Sequence, residues 1–380
     1  MTKTYKVTFK PVEPYFFGNE KNFTFPGQKQ KSTYSSSYFI RSERVPSQST
    51  ILGVLRYIFL PYKWEDFNHK DTREIINNKN NINDKVVGAA SFDIDSESIQ
   101  NFGIIKKISP VFISGRNDFG ESVTLIPTPM DHNRTSEKSE RVHKASDKEI
   151  LQYYPFLEYI KVNTTEGKKL YAKDFNVKEG VEHSYVSLEK GELYTFSDLF
   201  QSDLRIGINR TEKKDGFFKK EYCMLKKNFS FAVYADIDID NAPKATSVFL
   251  GQGKSAFIVN FTEESNDLQN RVKEFLSRKE YQRAAYPFIY CLSDVFVGDF
   301  DNEKVLFCAI DTKDYRAFKT REMGRIEKGG TLYRLLKAGS IIIPENPDEW
   351  ANKNKKSNAE NIGFNTFVIL GGKENETECI

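Results

Sequence analysis

The sequence predicts an α+β fold, and three observations support this prediction. Alternating apolar and polar segments recur along the whole chain, two segments have helical periodicity, and aromatic residues make up 14% of the 380 residues. Aromatic residues and period-two alternation favour pleated, half-buried strands. A chain of this length is long enough for two domains.

The N-terminal part begins with a strand and then a helix. Residues 5–10 alternate apolar and polar side chains, which predicts a strand that leads into an aromatic loop over residues 11–18. A helix is predicted over residues 45–60, where Ser47 or Ser49 can serve as the N-cap and apolar residues recur at helical spacing.

The middle of the chain carries weaker signals. Residues 68–84 are rich in asparagine and predict a loop or a short helix, and residues 104–113 predict a strand. The polar stretch over about 115–202 is interpreted as an insertion, with weak strand signals at 123–126 and 157–162.

Strand signals become dense after Arg205. The predicted strands are residues 229–239, two within 247–261, and then 287–297, 305–310, 340–343 and 365–370, with one helix over 268–278. Strand, helix, strand, strand on both sides of the middle fits two packed ferredoxin-like units. The predicted domains are 1–245, which includes the insertion, and 246–380.

Composition excludes several classes of protein. The net charge is only +3, from 56 basic and 53 acidic residues, so a polyanion would have to bind at local patches. The four cysteines form no C-x-x-C pair, which argues against a zinc site or a disulfide framework. With a mean hydropathy of -0.56 and no long apolar stretch, we expect a cytoplasmic protein without a membrane partner.

A glycine-rich turn runs from Gly251 to Ser255 and is only superficially similar to a nucleotide-binding phosphate loop. The first glycine of such a loop would fall at Val248, and a strand pattern follows where a helix is required. A nucleotide site is therefore not expected. Backbone N–H groups in this turn can still approach phosphates, although an ordinary hairpin turn explains the glycines as well.

No metal, cofactor or catalytic constellation is predicted. Asp236, Asp238 and Asp240 fall on one solvent-facing side of a strand, and the four histidines have no metal-ligand spacing. A metal-independent ribonuclease needs little more than a His with a Lys or Tyr, so a metal-independent endoribonuclease stays open as the alternative.

Basic residues lie close to aromatic ones in residues 213–227, which include three lysine doublets. Cations that follow the RNA backbone and rings that accept bases are typical of single-stranded RNA binding, whereas solvated hairpin charge is the alternative. On the predicted helix, Gly53 and Arg56 share a face outside the apolar arc. Gly53 would permit close approach of another backbone, and Arg56 could reach a phosphate or form an internal ion pair.

Five segments occur in the order seen in one family. They are F-K-P-V-E-P-Y-F-F-G at 9–18, P-S-Q-S-T-I-L-G-V-L-R at 46–56, L-I-P-T-P-M-D at 125–131, L-R-I-G-I-N-R at 204–210 and L-G-Q-G-K at 250–254. Together they resemble the Cmr-type subunit three of type III-B CRISPR effector complexes. This family belongs to the repeat-associated mysterious protein (RAMP) superfamily and is related to the Cas-five group.

The resemblance implies two ferredoxin-like RAMP domains with long loop and hairpin insertions. It also implies a non-catalytic subunit without cofactors that acts in antiviral defence. Such a subunit binds the 5' handle of the crRNA and caps the filament of backbone RAMP subunits. It docks on the large polymerase-like (Cas-ten-type) subunit, and it contacts target RNA only indirectly.

The predicted RNA-binding residues fall into three groups. Hydroxyls and a cation on the first helix would bind phosphates, and basic residues of the R-I-G-I segment and the glycine-rich turn would add charge. The last group consists of arginines that flank C-terminal glycines, and these glycines resemble the RNA-contacting glycine-rich loops of the superfamily. The residues are Ser47, Ser49, Thr50, Gly53, Arg56, Arg205, Arg210, Lys254, Arg321 and Arg325.

Overall fold

Strands dominate the structure, and helices are few and mostly short. The structure is a computed structural model that describes residues 1–18, 38–68, 70–89, 91–132, 151–155, 159–165, 167–172, 184–211, 214–281, 286–298, 304–320, 326–328 and 331–371. The predicted α+β class is confirmed by this mixture of sheets with few helices.

The helices and the strands are numbered separately in chain order. The helices are α1 (Gln48–Phe59), α2 (Arg73–Val87), α3 (Phe196–Leu199), α4 (Leu268–Leu276), α5 (Pro347–Asn354) and α6 (Ser357–Asn361). The first twelve strands are β1 (Thr2–Pro11), β2 (Tyr38–Arg41), β3 (Ile105–Ile108), β4 (Phe112–Arg116), β5 (Ser122–Pro127), β6 (Leu151–Gln152), β7 (Tyr159–Thr164), β8 (Gly167–Ala172), β9 (Tyr185–Ser187), β10 (Glu192–Tyr194), β11 (Phe200–Thr211) and β12 (Lys214–Leu225). The remaining strands are β13 (Phe229–Asp238), β14 (Ala245–Leu250), β15 (Ser255–Glu263), β16 (Phe288–Cys291), β17 (Val295–Phe296), β18 (Val305–Ala309), β19 (Thr312–Tyr315), β20 (Phe318–Thr320), β21 (Ile326–Lys328), β22 (Tyr333–Leu336), β23 (Ile341–Pro344) and β24 (Phe367–Leu370).

The chain divides into two compact units, each assembled from three stretches. The first unit comprises Met1–Val111, Leu199–Ser265 and Asp314–Tyr333. The second unit comprises Phe112–Asp198, Asn266–Lys313 and Arg334–Ile380. The domain ranges 1–245 and 246–380, and the interpretation of 115–202 as an insertion, stay predictions.

The first unit is built on an antiparallel sheet in the order β14–β15–β1–β13, and β3 also pairs with β13. In β1, Val7 and Phe9 are completely buried. They lie opposite Val233 and Phe231 of β13, which are buried as well. This row of large apolar side chains forms the core that the predicted alternation of β1 requires.

Helix α1 confirms the predicted helix and its cap. Ser47 is the N-cap, and its side chain accepts a hydrogen bond from the Thr50 backbone N–H. The buried side of the helix includes Ile51 and Leu55, both with no exposed surface, and the helix contacts β14 and β3.

Helix α2 corrects the prediction of a loop or short helix over residues 68–84. It runs for 15 residues, begins at the N-cap Thr72 and ends at Gly88, whose φ of 79° is available mainly to glycine. Near its end the buried Asn83 accepts a hydrogen bond from Tyr62 N and donates one to Tyr62 O. These caps and this tertiary pairing outweigh the poor helix propensity of asparagine.

The first unit also contains a long hairpin, β11–β12, and β2 pairs with β12 in parallel to form a three-stranded sheet. Arg205 lies opposite Lys220 in this hairpin, and Asp203 lies opposite Tyr222. Directly opposed residues in an antiparallel pair project to the same side of the sheet, so these four residues share one side.

The second unit contains two antiparallel groups of strands, in the orders β4–β5–β9–β10–β6 and β18–β23–β16–β24. Its core includes the buried residues Ile289, Cys291, Val295 and Ile342. Helix α4, predicted over 268–278, packs on β24.

Two predicted single strands are pairs of strands. Residues 104–113 form β3 and β4, with Pro110 between them, and residues 287–297 form β16 and β17. Pro110 interrupts the first of these segments because proline has no N–H to donate to the ladder.

Candidate nucleic-acid interface

The aromatic loop after β1 is fixed to the base of the β11–β12 hairpin. Tyr15 N donates to Cys223 O at 2.7 Å, and Cys223 N donates back to Tyr15 O at 2.9 Å. The Phe16 side chain is 1% exposed, and its ring packs edge-on against the Tyr222 ring at 5.6 Å between centroids. Because Phe16 is buried, its ring supports other side chains and is not itself a surface for a nucleobase.

Two cations lie over these rings. Lys220 Nζ is 3.9 Å from the centre of the Phe16 ring and 4.9 Å from that of Tyr222. The guanidinium carbon of Arg205 is 4.3 Å from the centre of the Tyr222 ring. We call Phe16, Arg205, Lys220 and Tyr222 the basic–aromatic cluster.

The cluster has an excess of positive charge. Arg205 Nε pairs with Asp203 at 2.8 Å, and both side chains are about half exposed. Within the described part of the chain, no carboxylate pairs with Lys220, and only the two rings contact its ammonium group. A cation–π contact leaves ammonium N–H groups free to donate, so Lys220 can form a charge-assisted hydrogen bond with an incoming phosphate.

The glycine-rich turn borders this cluster. Gln252 N donates to Phe16 O at 2.9 Å. A Cβ on Gly251, where φ is +75°, would come within 2.4 Å of that same oxygen. Gly251 is therefore required for the turn to approach the aromatic loop. Lys254 has a φ of 55°, a conformation that non-glycine residues rarely adopt, and it is exposed at the end of the turn. The turn joins β14 to β15 as a hairpin, as the alternative interpretation predicted.

The N-terminus of α1 brings three predicted residues together. Ser47 Oγ lies 3.1 Å from Ser49 Oγ and 2.9 Å from Thr50 Oγ1, and it also accepts from Thr50 N. All three residues are partly buried, and the first turn contains no acidic residue. The positive end of the helix dipole at this site is thus not neutralised by an acidic side chain in that turn.

Farther along α1, the structure separates the two residues that the sequence grouped. The Arg56 guanidinium donates to the backbone oxygen of Gly88. Burial lowers the pKa of Arg56, and the Asp84 carboxylate partly opposes this effect. Gly53 is exposed, and a Cβ added there would have no described atom within 4 Å. Arg56 thus has an internal partner, while the surface at Gly53 is open.

Three predicted residues lie partly or wholly outside the described part of the chain. Arg210 lies in β11 opposite Asp215, but its side chain lies outside the described residues. Arg321 and Arg325 lie entirely outside them. Lys220 and Tyr222, which complete the cluster, lie in the basic and aromatic stretch 213–227 that the sequence singled out for RNA binding. They were not among the named site residues, because only the hairpin register shows that they face Arg205.

The acidic strand residues have structural partners. Asp236 accepts from the Thr4 hydroxyl at 2.7 Å, and Asp238 pairs with the N-terminal amine at 3.2 Å. Across the described residues, no group of three or more His, Cys, Asp or Glu could hold a metal ion. No helix in the same part of the chain is long and apolar enough to cross a membrane.

We compared the chain with protein-family models, curated proteins and solved structures, and a family model matches it. A family model described as CRISPR-associated protein (Cas_Cmr3) matches residues 7–371, and no curated protein matches the chain. One similar solved chain comes from the cryo-EM structure of the Type III-B Cmr-beta bound to cognate target RNA and AMPPnP, state 1. It has 17% identity and a TM-score of 0.49, with 96% of this chain and 98% of that chain covered. Another, from Type III-B Cmr-beta bound to cognate target RNA, has 18% identity and a TM-score of 0.49 over 95% and 96% of the two chains. Since the family model spans nearly the whole chain, the protein belongs to the family of CRISPR-associated protein (Cas_Cmr3), the Cmr subunit three that its sequence motifs resemble.

Proposed function

We propose that the chain is a non-catalytic, guide-RNA-binding subunit of a type III-B Cmr effector complex that acts in antiviral defence. In this proposal it binds the 5' handle of the crRNA, caps the filament of backbone RAMP subunits and docks on the large polymerase-like subunit. Membership in the Cas_Cmr3 family supports the assignment to a Cmr complex. The basic–aromatic cluster is the observation that supports RNA binding by this chain.

The cluster suits a phosphate of single-stranded RNA better than a protein carboxylate alone. Lys220 and Arg205 lie opposite each other across two strands and next to an exposed glycine-rich turn. Two cations side by side can contact successive phosphates, and a base or ribose can pack beside the partly buried Tyr222 ring that supports them. Ser47, Ser49 and Thr50 would add hydroxyl donors at a helix N-terminus.

The proposal includes two features that rest on the family resemblance. The first is that the chain contains two ferredoxin-like RAMP domains. The second is that the subunit is cytoplasmic, where the guide RNA is made, and needs neither metal nor cofactor.

Binding of the purified full chain to two RNAs tests the proposal. One RNA carries the repeat-derived 5' handle, and the other has the same length with an unrelated 5' end. We expect tighter binding of the handle RNA, and a loss of about tenfold for each charge-assisted contact removed in Arg205→Ala and Lys220→Ala. Lys304→Ala is the control, because that lysine is 60% exposed and pairs with Glu349 in the second unit.

Two results would overturn the proposal. One is handle RNA binding that is the same in the cluster variants as in the wild type. The other is cleavage of repeat RNA in the presence of EDTA, which would favour the metal-independent endoribonuclease.

A further inference from the structure

Strand β14 lies at the edge of the sheet in the first unit, and among the described strands it pairs only with β15. Its six residues, A-T-S-V-F-L, include no charged residue and no proline, and its register with β15 contains no bulge. Charged side chains, prolines and bulges are the features that keep an exposed strand edge from pairing with another chain. The edge of β14 therefore lacks this protection.

The strand register shows which backbone groups of β14 are open. Phe261 N donates to Lys244 O at 3.1 Å, immediately before β14 begins. In an antiparallel pair, residues that bond to the neighbouring strand alternate with residues that do not. The N–H and C=O groups of Ala245, Ser247 and Phe249 therefore point away from β15.

The ladder on the other side of β15 gives the same alternation. Val12 N donates to Ala256 O at 3.0 Å, so residue 256 bonds towards β1, and the next residue, Phe257, bonds towards β14. Phe257 lies opposite Val248, between the open positions 247 and 249. All three open residues of β14 are exposed, and within the described part of the chain their outward N–H and C=O groups have no hydrogen-bond partner.

The core holds β14 in place while one side of it stays exposed. Val248 and Leu250 are 4% and 3% exposed. Phe249 is 70% exposed, and Ile258, which lies opposite Ser247 on the same side of the sheet, is 43% exposed. The open edge is thus fixed before anything binds, and the Phe249 ring can pack against a side chain of an added strand.

A lysine lies near each end of the open edge. Lys244 precedes β14, and Lys254 is the last residue of the turn that follows it. Both side chains are exposed, and no carboxylate of the described residues pairs with either of them. A strand added to β14 would bring its own ends close to these two cations, where carboxylates would be favourable.

We infer that the open edge of β14 binds an extended segment of another protein, which adds to the sheet as a further strand. The segment has an uncharged centre that pairs with β14 and a carboxylate near each end. This binding site goes beyond the proposed function, and it does not depend on the binding of RNA.

The open edge suits a polypeptide better than RNA. It presents N–H donors and C=O acceptors in alternation, and a peptide strand satisfies both kinds of group. Phosphate oxygens only accept hydrogen bonds, so a phosphate would leave the C=O groups without a donor and repel them. The outward C=O groups of the edge therefore argue against a nucleic-acid backbone.

Charge argues against a second copy of this chain as the occupant. Antiparallel pairing of two β14 strands about Ser247 would place Lys244 of each copy at the end of the strand that leads to Lys254 of the other. Like charges would then meet at both ends, and β14 has no carboxylate that could compensate them. An acidic segment of a different protein avoids this repulsion.

Binding of a synthetic peptide to the full chain tests the inference. The probe is E-V-T-V-T-V-E with blocked ends and a fluorescent label, and its affinity is measured by fluorescence anisotropy. Ser247→Pro removes one outward N–H but no hydrogen bond to β15, so the sheet should be kept. We expect this variant to bind the peptide about tenfold more weakly or worse. Ser247→Ala, which keeps the N–H, is the matched control and should bind as the wild type does.

A charge reversal provides a second test that does not depend on the folding of the proline variant. Lys244→Glu changes one exposed side chain, and it should weaken binding of the acidic peptide and strengthen binding of K-V-T-V-T-V-K. Handle-RNA affinity of Ser247→Pro should stay at the wild-type value. The proposed function fails on a different readout, the RNA affinity of the Arg205 and Lys220 variants.

Four results would overturn the inference. They are no binding of the acidic peptide by the wild type, equal binding by the wild type and a folded Ser247→Pro variant, and equal binding of the acidic peptide by the wild type and Lys244→Glu. The fourth is a different occupant, shown either by a dimer of the chain or by single-stranded RNA binding that Ser247→Pro abolishes.

Discussion

Lys220 Nζ lies 3.9 Å above the Phe16 ring, and this contact joins the β11–β12 hairpin to the aromatic loop after β1. Phe16 is buried, so the ring is a fixed support for a partly exposed cation. A cation held over a ring face loses less rotamer freedom when it meets a phosphate than a free lysine does. Phe16 is thus a positioning residue, and Lys220 makes the contact.

Lys220→Ala should reduce the salt dependence of RNA binding. Each phosphate contact in a single strand contributes about 0.7 to the slope of log affinity against log salt concentration, so removing one should lower the slope by about that amount. Affinity titrations of the handle RNA at several salt concentrations measure this. Lys304→Ala should keep the wild-type slope, and an unchanged slope in Lys220→Ala would mean that the lysine contacts no phosphate.

Phe16→Leu should weaken RNA binding without changing that slope. The substitution keeps an apolar side chain in the core but removes the ring face, which contributes about 0.5–1 kcal/mol to an exposed cation–π pair. The ammonium group remains and can still reach a phosphate, so the number of contacts is the same. A slope that falls as far as in Lys220→Ala would contradict the positioning role and indicate that the hairpin itself has moved.

Gly251→Ala should destabilise the first unit more than an ordinary glycine substitution at positive φ. The new Cβ would lie 2.4 Å from Phe16 O, and backbone atoms there cannot move without breaking the Gln252–Phe16 hydrogen bond. Overpacking of this kind costs about 1–3 kcal/mol. Gly120→Ala is the matched control, because its φ is +80° but no described atom lies within 4 Å of the added Cβ. Equal unfolding free energies for the two variants, measured in urea, would show that the turn relaxes at no cost.

The sequence predicted those elements whose stabilising residues lie close together in the chain. The Ser47 cap and the apolar spacing of α1 lie within one short segment, so the helix and its start could be read directly. The alternation of Leu204 and Ile206 with Asp203 and Arg205 was also a strand signal, and it could have identified β11. Gly207 weakens this signal, because glycine has a low strand propensity.

The cluster itself could not be predicted because it depends on register. Phe16, Lys220 and Gly251 are far apart in the chain, and only the pairing of β1, β12, β14 and β15 brings them together. The internal partner of Arg56 depends on tertiary structure in the same way. The place of Arg56 on the helix face was predicted, but its partner, the Gly88 carbonyl, depends on where α2 ends.

Arg56→Ala should lower the free energy of unfolding by about 1–3 kcal/mol, because the Gly88 carbonyl would lose its charged donor in a partly buried site. Thermal and urea unfolding measure the loss, and the RNA affinity of the folded variant is measured separately. Arg205→Ala is the control, since that side chain is 52% exposed and its pair with Asp203 contributes little to stability. If both variants unfold at the same denaturant concentration, the Gly88 contact does not stabilise the fold.

Cys223 should make stability depend on pH in the alkaline range. Burial raises the pKa of its thiol to about 11, and the Glu221 carboxylate acts in the same direction. In the unfolded chain a thiol ionises near pH 8.5. Because the folded state holds the thiol proton more tightly, the contribution of this group to stability is complete below about pH 8.5 and is lost as pH rises towards 11.

Unfolding free energies of the wild type and of Cys223→Ala, compared from pH 7 to 10.5, measure the effect. The wild type should lose more stability over this range than the variant, since Cys291 and Cys308, whose thiol pKa values burial also raises, are common to both. Parallel curves would show that the Cys223 thiol reaches solvent in the folded protein.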